Sequence, residues 1–137
     1  LVSMEIEAKP LTEANSLELR IEELSLHHYG ARKHNGKIPI IKEEILKTFK
    51  GRSIPYRYVT RIPSGAYDQL IIKFSDAKAY IDDEEIQPDI SQKTVEKNVT
   101  ILLEENSHLK ISLQIDEGEL ITNRTISINV EVNALNQ

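Results

Sequence analysis

The 137-residue chain has no cysteine and no tryptophan. The first absence excludes disulfides, thiolate metal sites and thiol nucleophiles. The second removes the broadest ring on which a sugar could stack, and with aromatics at 5% the core must be built from Ile, Leu and Val. Glycine is scarce, at five residues, and neither a Gly-rich phosphate loop nor a dinucleotide fingerprint occurs. No run of about 18 apolar residues is found, so no membrane-spanning helix is expected. Lys and Arg number 17 against 22 Asp and Glu, for a net charge of −5. The cations are scattered among the acids rather than drawn into a stripe, so nucleic acid is not an expected partner.

What the chain does have is period-2 alternation, the pattern of strands with one buried face. Val2, Met4, Ile6 and Ala8 alternate with polar residues until Pro10 stops the strand. Leu17, Leu19 and Ile21 share a face; after Glu22-Glu23 the apolar set continues one residue out of phase at Leu24 and Leu26, which reads as a β-bulge. Leu70, Ile72 and Phe74 give way to Ala77, Ala79 and Ile81, implying a second bulge near Ser75-Asp76. Further alternations run through Val99, Ile101 and Leu103, then residues 109–115, then residues 126–132. Between them "GARKHNG" is a polar loop. Ile41, Ile45 and Phe49 recur at helical spacing and predict a short helix near residues 41–50. About seven strands without alternating helices predict an all-β fold, an antiparallel two-layer β-sandwich of immunoglobulin-like or prealbumin-like type. One domain is expected over residues 1–137, with 1–9 as a first or exchangeable strand and 10–16 as a short linker.

Several of these segments share an order with a known family. "AKP" closes the first strand, "SLELRIEELSLHH" follows, then "IPSGAYDQLIIKFSDAKAYIDDEEI" and "HLKISLQID". In this the chain resembles the prokaryotic surface-domain family catalogued as domain of unknown function 4382. Its short corner after the first strand corresponds to Ala8-Lys9-Pro10, its His-ended second strand to Leu24-Ser25-Leu26-His27-His28, and its Pro-Gly-Tyr turn to Ile62-Pro63-Ser64-Gly65-Ala66-Tyr67. The family's central hairpin turns through Asp-Gly, whereas here the tip reads Asp82-Asp83-Glu84-Glu85; without glycine a longer loop is expected. The resemblance implies an extracellular, anchored or secreted sandwich and supplies no catalytic residues.

The candidate chemistry is sparse. Pro63 suits the second position of a type I turn and Gly65 the fourth, with Tyr67 placed to send its hydroxyl to the backbone as corner tyrosines do. Ser64 lacks the Gly-x-Ser-x-Gly context of a nucleophile. His27, His28 and His34 could hold zinc, but adjacent His27 and His28 point to opposite faces of a strand; His108 reads as a turn residue without a partner. Asp82, Asp83, Glu84 and Glu85 could take calcium through oxygen, without the spacing of a dedicated loop. Tyr56 and Tyr58 beside Arg57 and Arg61 come closest to a base-stacking surface and read better as a half-exposed strand. Asn98 and Asn123 head glycosylation sequons, and Leu1 in place of Met reads as processing behind a signal peptide or anchor; both lean toward the cell exterior.

From this we expect no enzyme. The expected object is an extracellular, cell-surface structural or interaction module, in one form a pilus-like filament subunit. Its partners would be its own copies or other surface proteins, with Val2, Met4, Ile6 and Ala8 as an assembly strand. The alternative is a ligand- or calcium-binding surface domain centred on residues 82–85.

Overall fold

A computed structural model describes residues 2–28 and 36–135. In chain order the strands are β1 (Val2–Ala8), β2 (Ser16–His28), β3 (Lys37–Phe49), β4 (Arg52–Ser53), β5 (Tyr56–Thr60) and β6 (Gly65–Ile81). Then follow β7 (Glu84–Ile86), β8 (Asp89–Ile90), β9 (Thr94–Leu103), β10 (His108–Asp116), the helix α1 (Leu120–Asn123) and β11 (Thr125–Leu135). One sheet has the order β5-β1-β10-β11-β8; the other runs β4-β3-β2-β6-β7, with β9 also bonded to β6. The expected sandwich is present. Its second sheet is antiparallel throughout, while the first is mixed, because β1 runs parallel to β10 and β8 parallel to β11. The strand count exceeds seven partly because β4, β7 and β8 hold only two or three residues each, too few for alternation to register.

The two inner faces meet in one aliphatic core, to which β1, β10 and β11 contribute from one side and β2 and β6 from the other. Both expected bulges are there. The β2–β6 register shifts between Ile21 and Glu23, and again where Arg20↔Asp76 gives way to Ile21↔Phe74, skipping Ser75. These shifts let a 17-residue β6 keep its apolar side chains inward while it bends.

The short helix expected near residues 41–50 is instead part of β3. Ile41 and Leu46 are both buried although five residues apart. Glu43 between them has φ 54°, a left-handed residue that resets the alternation. Ile45 points outward and is 37% exposed. The i, i+4 spacing of Ile41, Ile45 and Phe49 is thus the signature of a kinked strand. The one helix among the described residues is α1, ended by Arg124 in the left-handed conformation.

Candidate functional site

β1 fills a slot. It pairs antiparallel with β5 from Val2↔Thr60 to Ile6↔Tyr56, and parallel with β10 from Ser3↔His108 to Ala8↔Leu113. Val2, Met4, Ile6 and Ala8 are each 2% exposed or less. The outward residues are tied to neighbouring strands as well. Ser3 Oγ lies 2.9 Å from His108 Nδ1, so His108 opens a strand with a partner and is not the lone turn residue expected. Glu5, only 13% exposed along its side chain, sits between Arg57 at 3.1 Å and Lys110 at 3.8 Å. Glu7 accepts a hydrogen bond from Ser53 at 2.8 Å. Removing β1 would leave two facing rows of unpaired backbone on β5 and β10, plus an open apolar trough.

The segment joining β1 to β2 crosses from one sheet to the other and is far from a loose linker. Leu11 and Ala14 are buried. The Leu11 N–H donates to Phe49 O at 2.9 Å, and Leu11 O accepts from Gly51 N at 3.1 Å. Glu117, just beyond the end of β10, reaches across to it. Its Oε2 accepts from Thr12 N at 2.8 Å and Thr12 Oγ1 at 3.1 Å; its Oε1 accepts from Glu13 N at 3.1 Å and Ala14 N at 2.8 Å. Three successive backbone N–H groups converge on one carboxylate, a nest of the kind that binds anions. An open cleft of about 830 Å³ runs beside this contact, lined in part by Lys9, Pro10, Glu13, Asp116 and Ile121.

The acidic tip is also built tightly. Asp82 and Asp83 have φ 49° and 67°, and Ile81 pairs with Glu84, so the hairpin turns in two residues. The longer loop expected from the missing glycine does not form, because Asp tolerates the left-handed region better than most residues. Asn15 Oδ1 accepts from the Asp82 N–H at 2.9 Å and anchors the turn. Glu85 is engaged by the Tyr80 hydroxyl at 2.9 Å and by Lys78 at 3.6 Å. Strand pairing therefore distributes Asp82, Asp83, Glu84 and Glu85 rather than gathering them. Among the described residues no three His, Asp or Glu side chains are placed to hold a metal ion.

Pro63, Ser64 and Gly65 make a bend whose Gly65 has φ 150°, a region that favours glycine. Tyr67 is buried and its hydroxyl donates to Pro63 O at 2.6 Å, the backbone bond expected of a corner tyrosine. His28 stacks on that ring, with centroids 4.5 Å apart. His27 turns away to Asp68, with Nδ1 to Oδ1 at 2.9 Å. The two histidines thus separate as their strand alternation requires; His34 and residues 30–35 of the polar loop lie outside the described residues. Ser64 is exposed at the bend. Tyr56 and Tyr58 pack against the core, while Arg57 extends outward to Glu5, so rings and guanidinium do not share a face. Asn98 on β9 and Asn123 at the end of α1 are both exposed.

Two residues that sequence reasoning passed over matter here. Glu117 bonds to residues 103 to 105 positions away, which no local pattern announces. Glu44 follows the inward alternation of Leu46 and Thr48 and acts on Tyr58 across the sheets. The Tyr58 phenol is held well above its ordinary range, first by burial and then by the Glu44 charge, and its oxygen is buried without a well-formed hydrogen bond. A smaller concavity of about 330 Å³ opens where β6 lacks a partner between β7 and β9. Its Arg20 and Lys78 are already paired, with Asp76 at 3.4 Å and Glu85 at 3.6 Å. Comparison with protein-family models, curated proteins and solved structures found no match to this chain.

Proposed function

We propose that this chain is a non-enzymatic structural module of the cell exterior, assembling with copies of itself or with other surface proteins, and that a pilus-like filament is the assembled form it suits. The observation that carries this reading is the placement of β1. Joined to β2 through the crossover alone, β1 completes a sheet between two strands distant from it in sequence. The same backbone bonds and the same apolar trough would accept the equivalent strand of a second copy. Further support comes from the Pro63–Tyr67 corner, where the residues shared with the surface-domain resemblance form a rigid structural joint. The exposed sequons at Asn98 and Asn123 agree with an exterior setting.

The test is co-refolding. Two copies carrying different tags are unfolded in urea, mixed at high concentration and refolded. Mixed-tag dimers and higher oligomers, resolved by light scattering and pull-down of one tag, are the expected outcome. Monomers alone at every concentration would remove assembly by strand exchange.

A further inference from the structure

We propose that Glu117 is a latch that keeps β1 in its own slot, an inference that rests on the strand-exchange reading above. The carboxylate accepts four hydrogen bonds, three of them from consecutive N–H groups of the crossover. Charge-assisted bonds of this kind are about twice as strong as neutral ones. They fix residues 12–14 to the turn at the end of β10, the strand against which β1 lies.

The latch acts through tether length. With the crossover pinned and Leu11 bonded to Phe49 and Gly51, only residues 9 and 10 separate β1 from a fixed point. A two-residue tether holds β1 at a high effective concentration beside its own slot and gives it almost no reach. With the cradle open, the two backbone bonds of Leu11, the Thr48 hydroxyl on Lys9 O and the buried side chains of Leu11 and Ala14 still hold the crossover before Asn15. Once these yield, the tether up to Asn15 grows from two residues to six. Effective concentration falls roughly as the −3/2 power of tether length, so β1 loses about fivefold of its advantage over a competing strand. The reach grows at the same time to about 20 Å, enough to leave one copy for a neighbour. Anything that draws Glu117 out of the crossover would therefore favour assembly.

The experiment uses the full chain and a fluorescent synthetic peptide of residues 1–9. Uptake of the peptide is followed by anisotropy for the native protein, for Glu117→Gln and for Glu105→Gln, an exposed acid that controls for charge. Glutamine keeps the size but turns one acceptor oxygen into a donor, so about half the cradle is lost. Amide hydrogen exchange at Thr12, Glu13 and Ala14 reports the cradle directly. The latch predicts faster exchange at those three amides in Glu117→Gln, and a half-saturating peptide concentration several-fold below that of the native chain and of Glu105→Gln. Equal uptake by Glu117→Gln and the native chain overturns the latch while leaving strand exchange standing. If none of them captures the peptide even when refolded from urea in its presence, the exchange reading itself fails and the latch goes with it. Should Glu117→Gln not fold, Thr12→Val, which loses the hydroxyl bond alone, carries the same comparison with a smaller expected shift.

Discussion

The Tyr67 side chain is buried and its hydroxyl donates to Pro63 O at 2.6 Å. Tyr67→Phe strands that carbonyl, and the loss should be about 1 kcal/mol, read as a lower urea midpoint at unchanged slope. Gly65→Ala meets no clash, since the added carbon would lie 3.6 Å from the His28 ring. It must adopt φ 150° instead, so a cost of about 1–3 kcal/mol is expected from backbone strain alone. Tyr58 makes a prediction about pH. Its phenol titrates above the ordinary value when folded and near pH 10 when unfolded, so between those limits the folded state holds the extra proton. Stability is accordingly full below about pH 10 and falls as pH rises beyond it. Tyr58→Phe removes this contribution, so its melting temperature should fall less steeply with alkaline pH than that of the native chain. The corner tyrosine was legible because Pro, Gly and Tyr each constrain the backbone locally. Glu44 was not, because a residue that sets its inward orientation, Glu43 at φ 54°, looks like any other surface acid.

At the scale of elements, the β6–β7 hairpin turns through two aspartates in the left-handed region. Replacing Asp82 and Asp83 by Asn and Gly supplies the preferred two-residue turn and removes two like charges from the tip. It should raise stability by about 1 kcal/mol. Calcium, by contrast, is expected to leave the melting temperature unmoved, since the tip's carboxylates are spread by strand pairing and Glu85 is already bound to Lys78. The bulges of β2 and β6 could be read from sequence because a one-residue slip in an apolar alternation has few other causes. β3 could not, because its kink converts the alternation into a helix-like spacing at Ile41, Ile45 and Phe49. The shortest edge strands are invisible for a simpler reason: two residues contain no period.

At the scale of the molecule, the sandwich was legible from strand number and patterning, but its wiring was not. Nothing in Val2–Ala8 says that this strand lies between β5 and β10, or that it runs parallel to the latter. Those pairings are set by the whole core, as is the reach of Glu117 to the crossover. Loss of residues 1–9 should therefore unfold or aggregate the chain rather than trim it. Co-refolding the shortened chain with the free peptide should restore a cooperative thermal transition; recovery without peptide would show that β1 is dispensable.

Ser3 pairs with His108, and His108 pairs with Leu135, so the start of β1 and the end of β11 lie in one row across the first sheet. Two interstrand steps put them about 10 Å apart. The crossover with Glu117 occupies the opposite end, and the Asp82 tip joins it there through Asn15. The molecule thus has a pole from which both described chain ends emerge and a pole that carries Glu117 and the acidic tip. Fusions made to either end will crowd one another and leave the acidic pole clear. A short bridge across the near pole, with the crossover left intact, would give a cyclised chain whose first strand is tethered at both ends and can no longer leave.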